Sequence, residues 1–259
     1  MAQKTVTAVG DAQLDTAQKK FGTASGLFDG TGDYLTVPDN ADFNFGTGNF
    51  TIDFWVRFSS IPGHVVFYEQ VDAGDDFFRI YFNGTDKLYV AYIDDSTWKI
   101  NFNVPFNPST DTWYHIEVVK GGTTEATWHA FIDGTDGSKT VDTGTFDETI
   151  KDFTEVVRMG SQAGTGGYLN GWFDEFRISK GVARHTSNFT APTVAYTTDD
   201  DTKLLLHMDG TDGSTTFTDS SPTPAGPANL KSINGLAKAS IKSRNSLAIG
   251  SIKSINGLE

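Results

Sequence analysis

Residues 173–177 read Phe-Asp-Glu-Phe-Arg and carry the densest chemistry in the chain, two adjacent carboxylates and a guanidinium inside an aromatic run. Hydrolysis by carboxyl groups needs two of them converging on one bond, one as acid and one as base or nucleophile. Asp174 and Glu175 are consecutive, so a strand sends them to opposite faces. No other pair in an alternating run does better, because Asp94-Asp95 and Asp199-Asp200-Asp201 fall in turn-like stretches. The five histidines (His64, His115, His129, His185 and His207) are scattered without metal-ligand spacing. There is no cysteine, no Gly-x-Ser-x-Gly and no P-loop. Together these features predict a protein that is not an enzyme.

Asp174 poses a separate question. On a strand it shares a face with Trp172, Phe176 and Ile178, the expected core face. A carboxylate there is costly unless it is paired or holds a cation. A rim salt bridge to Arg177 or Arg158, hydrogen bonds to a turn, and a bound cation are the alternatives.

The elements that must position these groups are strands. In residues 50–58, Phe50, Ile52, Phe54, Val56 and Phe58 point one way, and Thr51, Asp53, Trp55 and Arg57 the other. That period of two predicts a strand with one buried face. Residues 112–120 alternate as well, with Tyr114, Ile116 and Val118 in phase. Further short β-branched or aromatic runs, among them 34–37, 65–70, 77–82, 87–93, 98–104, 127–132 and 172–179, are separated by Gly, Asn, Asp or Pro. Many short strands and no long amphipathic helix predict an all-β protein, two sheets packed as a jelly-roll sandwich. Twenty Phe, eight Tyr and five Trp can fill such a core, and 27 Gly can serve its turns. No apolar run approaches the ~18 residues of a spanning helix. Residues 1–13 lack an apolar signal core, which predicts no export by that route and no membrane insertion. A net charge of −13 argues against a nucleic-acid-binding body.

The ordered series FDGTGDYLTVPDN (28–40), FTIDFWV (50–56), TWYHIEVVK (112–120) and GWFDEFRISKG (171–181) resembles the laminin G-like branch of the concanavalin A-like sandwich family. The resemblance spans roughly residues 21–189 and implies that fold. It also implies three functions to weigh. Glucan hydrolases of the family carry Glu-x-Asp-x-x-Glu or a close variant on one strand, and residues 173–177 do not reproduce it. Many members hold a structural Ca²⁺, a cation that takes several carboxylate and carbonyl oxygens. Asp174 would be a ligand, with Asp209, Asp219 and the loop at Asp29 resembling the rest of the set. Lectin members stack sugars on an exposed ring. Trp98 is the best candidate, since it follows the loop-like residues 94–97, with Asp95 and Arg79 as polar partners and Asp53 and Arg57 as further ones; most of Trp55, Trp113, Trp128 and Trp172 are expected to pack.

Two features depart from the family's pattern. Residues 202–221, TKLLLHMDGTDGSTTFTDSS, resemble the strand and loop with which such a domain ordinarily begins. A free Leu204-Leu205-Leu206 strand would expose apolar surface and an unpaired edge. The expectation is therefore a circularly permuted sandwich over residues 1–221, completed by this strand in its own or a neighbouring copy. A Pro-rich linker at 222–229 then leads to three copies of a repeat with an 11-residue period in 230–259 (LKSINGLAKAS, IKSRNSLAIGS, IKSINGLE), with Lys231, Lys242 and Lys253 in register. Asn-Gly or Asn-Ser in each copy favours a turn over a helix interior, which predicts short strands in a small β-repeat tail. The repeats carry a net charge of +4, which leaves −17 for the rest. They resemble terminal segments of phage virion and tail-associated proteins. The functional expectation is a structural or adhesion protein of a phage virion, facing host-surface glycans and attached to other virion proteins through the tail, with a homo-oligomer, specifically a trimer. The alternative is a bacterial secreted or surface carbohydrate-binding lectin module, and a glycan hydrolase is the least favoured reading.

Overall fold

The computed structural model describes residues 3–72, 76–146, 149–163 and 165–223, and the backbone of 232–233 and 236–237. The chain divides into two compact units, Met1–Pro222 and Thr223–Glu259. In the first, sixteen strands follow in order among the described residues: β1 Thr7–Val9, β2 Gln13–Asp15, β3 Ser25–Asp29, β4 Tyr34–Val37, β5 Phe50–Phe58, β6 Val65–Val71, β7 Phe77–Phe82, β8 Lys87–Asp94, β9 Thr97–Pro105, β10 Trp113–Lys120, β11 Trp128–Ile132, β12 Thr135–Asp136, β13 Thr140–Gly144, β14 Val157–Met159, β15 Asn170–Lys180 and β16 Thr202–Leu206. Among the described residues the helical elements are single 3₁₀ turns, Ala41–Phe43 and Glu125–Thr127, and no helix is long and apolar enough to cross a membrane.

The strands make two antiparallel sheets. A sheet of eight runs β1-β4-β14-β6-β7-β8-β9-β13, and the other, called the sheet of seven after its continuous path, runs β12-β11-β10-β5-β15-β3-β2, with β16 as an eighth strand beside β15. This is the sandwich expected from the alternating runs. The inner positions of β5 (Phe50, Ile52, Phe54, Val56, Phe58) and of β10 (Ile116, Val118) meet Phe67, Phe78, Ile80 and Phe82 from the other sheet in one core. The aromatic side chains interlock: Phe54 stacks on Phe176 at 5.0 Å and meets Phe173 edge to face at 5.4 Å.

Two expectations are corrected. First, β5 is buried on both faces, not one: Thr51, Asp53 and Trp55 are as enclosed as their apolar neighbours. The cause lies outside the strand, because residues 181–200 cross its outer face. Thr51 Oγ1 donates to the Val182 carbonyl at 3.1 Å and accepts from Arg184 N at 3.0 Å, and Tyr196 joins Trp55 and Leu205 in a second small apolar cluster. The strap is closely seated at Gly134 (φ +78°), where a Cβ would lie 2.1 Å from the Phe189 carbonyl oxygen.

Second, the facing of Asp174 is reversed. β15 opposes β5 as Asp174↔Trp55 and then Arg177↔Asp53, so β15 carries one extra residue, and Glu175 takes φ +51° there. A bulge of this kind shifts the strand's parity by one. Phe173, Phe176 and Ile178 consequently enter the core, while Trp172 stays half-buried on the outer face with its indole N–H on Asp15 (2.8 Å). Period-two reading cannot see a bulge.

β16 closes its own chain's sandwich. Its Leu204, Leu205 and Leu206 pair with Ile178, Arg177 and Phe176 of β15, beside the half of β15 that β3 does not reach. The two ends of the body are also joined: Thr5 bridges to Thr218, and Lys4 N donates to Asp219 at 2.7 Å. In the second unit Ser232–Ile233 pairs antiparallel with Leu236–Ala237. The rest of the expected repeat tail lies outside the described residues.

Candidate functional site

Three places in the body gather chemistry. The first is the outer face of the sheet of seven, under the strap. Asp53 on β5 lies opposite Glu117 on β10 and Arg177 on β15, and His115 is two residues before Glu117 on the same face. Asp53, His115 and Glu117 are all buried, with ligand atoms within 4.8 Å of one another, a group that could hold a metal ion. Its partners, however, already balance it. Arg177 grips Asp53 through Nε (3.0 Å) and Nη2 (2.6 Å), His185 Nδ1 meets both Glu117 oxygens at 2.9 and 3.0 Å, and Tyr196 Oη meets His115 Nε2 at 2.7 Å. The bidentate guanidinium supplies the positive charge that a metal would bring. Burial pushes Glu117 up to about 7 and His115 down to about 4, the directions expected of acid and base removed from water. The residues therefore fit a buried ion-pair network better than a metal centre. Sequence reasoning missed it, although His115-x-Glu117 in an alternating strand was the available signal.

The second place is Asp174 with the other residues expected to hold calcium. Asp174 Oδ2 accepts from the N–H groups of Lys20 (2.7 Å) and Phe21 (3.1 Å), while Oδ1 is buried without a partner. Neither Arg177 nor Arg158 pairs with it: Arg177 holds Asp53, and Arg158 belongs to β14 in the other sheet. Burial raises Asp174 to about 7. Asp209 accepts from Thr23 N, from Thr23 Oγ1 (2.9 Å) and from Ala24 N (3.3 Å). Asp219 accepts from Lys4 N, Leu205 N, Ser221 N and Ser221 Oγ at 2.7–3.2 Å. Asp29 accepts from Thr31 N at 2.6 Å. Apart from Asp174 Oδ1, the oxygens described face hydrogen-bond donors, which a cation would have to replace, and no three of these carboxylates form a cluster of the Asp53 kind among the described residues.

The third place is the outer face of the sheet of eight. Trp98 opens β9 with 43% of its surface exposed. It meets Phe77 of β7 edge to face at 5.9 Å, and the Arg79 guanidinium lies 3.9 Å from the centroid of that same Phe77 ring. Trp98 and Arg79 are thereby brought together through one aromatic ring. Asp95 sits in the β8–β9 turn at φ +50°, exposed, with the turn fixed by Ser96 N donating to Asp76 at 3.0 Å. Two residues further along β7, Tyr81 stacks on Tyr89 at 5.0 Å, both half-exposed. Asn101 and Asn103 of β9 share the face, as their pairing with Ala91 and Tyr89 requires. Arg79 uses Nε and Nη2 to hold the buried Glu69.

An all-antiparallel two-sheet sandwich of this topology defines the fold class. The chain belongs to the concanavalin A-like lectin/glucanase superfamily, whose laminin G-type profile matches residues 29–188, more than half of its length. No curated protein matches it in sequence. Among solved structures it is similar to the binding domain of botulinum neurotoxin serotype G (TM-score 0.53, 13% identity, 71% of this chain and 44% of that one). It is similar to a Bacteroides ovatus protein described as carbohydrate binding (0.51, 12%, 85% and 56%). It is also similar to domain 4 of the GH43 extracellular arabinanase AbnA of Geobacillus stearothermophilus, solved with arabinotriose (0.50, 13%, 70% and 83%). The chain spans about half the length of the first two. At these identities the likeness concerns the fold.

Proposed function

We propose that the Met1–Pro222 body is a non-enzymatic carbohydrate-binding module that holds glycan on the outer face of its sheet of eight, with Trp98 as the stacking platform. The observation that carries this is Trp98 itself: a large ring left open to solvent yet braced by Phe77, with polar side chains around it. Sugars present apolar C–H faces and hydroxyl edges, which such a ring and its polar surround complement. The superfamily and the arabinotriose-bound neighbour support the same reading. A role without catalysis is supported by the carboxylates of β15, since Asp174 is enclosed and Glu175 is tied to His207 at 2.8 Å and to Tyr196 N at 2.8 Å. Affinity electrophoresis through gels containing soluble plant, bacterial and host-surface polysaccharides tests the proposal. Retardation by at least one, lost in Trp98→Ala, is the expected result, and migration unaffected by every polysaccharide counts against it.

The setting is proposed separately. A bacterial surface or secreted module is the reading the relatives favour. A phage virion, with residues 230–259 as the attachment or trimerising element, is supported by the three-copy period alone. Ca²⁺ at Asp174 stays a proposal whose test is thermal stability with and without chelator.

A further inference from the structure

Arg158 stands apart from the other described arginines. Arg57, Arg79, Arg177 and Arg184 are ion-paired with Asp111, Glu69, Asp53 and Asp199. The Arg158 guanidinium has neither ion pair nor hydrogen bond among the described residues, and its Nη1 is screened from solvent while the side chain as a whole is half-buried. The fold explains its position. Val157 and Met159 of β14 enter the core, so Arg158 between them projects from the outer face of the sheet of eight, opposite Glu69 of β6.

Glu69 does not neutralise it. That carboxylate is fully buried and already occupied, with Oε1 accepting from Arg79 at 2.5 and 2.8 Å and Oε2 from Ala163 N at 2.5 Å. Arg79, Glu69 and Arg158 thus leave one positive charge in excess. His64 lies near the Arg79–Glu69 pair and Gln162, its ring 5.3 Å from that of Tyr81 and its Nε2 buried without a partner. Burial, then Arg79, lowers its pKa, so at neutral pH it adds no charge. The Oγ of Ser161, two residues beyond β14, is a further buried atom without a partner. Buried polar atoms are normally satisfied. A partly desolvated guanidinium without an anion gains most from a carboxylate, which it can hold with two parallel hydrogen bonds.

We infer that Arg158 is a carboxylate-binding subsite on the glycan-binding face, and that the ligand is an acidic oligosaccharide bearing uronate-type groups. This rests on the carbohydrate-binding reading. The face also orients the ligand. At the Trp98 end, Asp72, Asp76 and Asp94 surround Lys151 at 2.8, 2.8 and 3.4 Å, an excess of negative charge that favours an uncharged sugar there. β14 and β9 are four strand spacings apart in the sheet. At ~4.8 Å per spacing that is about 19 Å, so a ligand touching both ends is a chain of several sugars crossing the strands.

The test is calorimetric titration of the full chain with an oligogalacturonide and with its methyl ester, at low and high salt. The acid should bind at least tenfold tighter than the ester at low salt, with the difference shrinking as salt rises. Arg158→Gln should abolish that difference while leaving ester binding and the melting temperature unchanged; Arg158→Lys, which keeps the charge without the fork, should retain part of it. Equal affinities for acid and ester, or an undiminished preference in Arg158→Gln, would overturn the inference. Binding of neutral arabino-oligosaccharides that is lost in Trp98→Ala, with no binding of either galacturonide, would also overturn it while leaving the carbohydrate-binding reading intact. No binding of any of these glycans would count against both.

Discussion

Asp174→Asn separates two ways of keeping a carboxyl group inside a protein. Burial holds Asp174 near 7, against an ordinary value of 3.8. A folded-state value above the unfolded one contributes stability that is fully present below about pH 4 and is lost as pH rises through 7. A difference of about three pH units at ~1.4 kcal/mol each makes the buried anion unfavourable by up to about 4 kcal/mol at pH 8. Asparagine removes the charge, keeps an oxygen for the N–H groups of Lys20 and Phe21, and places an amide where Oδ1 has no partner. In chelator the variant should therefore match wild type within about 1 kcal/mol at pH 4 and exceed it by a few at pH 8, roughly 2–4 °C in melting temperature for each kcal/mol. Glu117 also titrates near 7, but it is common to both proteins and cancels in the difference. Urea unfolding of the pair at pH 4, 6 and 8 is the assay. A variant that is less stable by the same amount at every pH refutes the reasoning. If calcium instead stabilises wild type at pH 8 and not the variant, a cation holds Asp174 and the family's metal site is present.

Other perturbations give outcomes of known direction. Ending the chain after Thr198 removes Leu204, Leu205 and Leu206, each fully buried; at ~1.5–3 kcal/mol per side chain the loss rivals the whole stability of a domain, so insoluble or molten protein is expected and an unchanged melting curve would contradict it. Asp53→Ala leaves Arg177 buried without its anion and should lower stability by about 3–5 kcal/mol, measured by urea unfolding, with a loss below about 1 kcal/mol arguing that the pair is solvated. Deleting residues 230–259 should leave a soluble body with an unchanged melting temperature. If the full chain forms trimers by light scattering, the shortened chain should not, and persistent trimers would exclude the tail as the assembling element.

The alternation of residues 50–58 and 112–120 made the sandwich legible, because inward positions repeat with the pleat and their residues are Phe, Ile and Val. Leu204-Leu205-Leu206 was legible for the same reason, as an apolar run in need of a sheet. The face of Asp174 was not, since one bulged residue inverts every inference drawn from parity. The Asp53–His115–Glu117–Arg177 network was hidden by its distribution over three strands and by the strap at 181–200, which has no periodic signal of its own. Trp98 could be singled out because a loop-like run precedes it, but its contact with Phe77 and Arg79 depends on the register of β7, β8 and β9, which local sequence does not specify. Sequence offers Arg158 only as a partner for Asp174, a residue the fold places in the opposite sheet.

The most direct measurement is amide chemical-shift mapping of the labelled full chain during titration with whichever oligosaccharide it retains. A carbohydrate site on the sheet of eight predicts perturbed amides at Phe77, Arg79, Asp95 and Trp98, extending toward Arg158 for an acidic chain, with the strands of the other sheet unmoved. Shifts centred on residues 181–200 and the Asp53–Glu117 network, or saturating binding that leaves β7, β8 and β9 undisturbed, would contradict it.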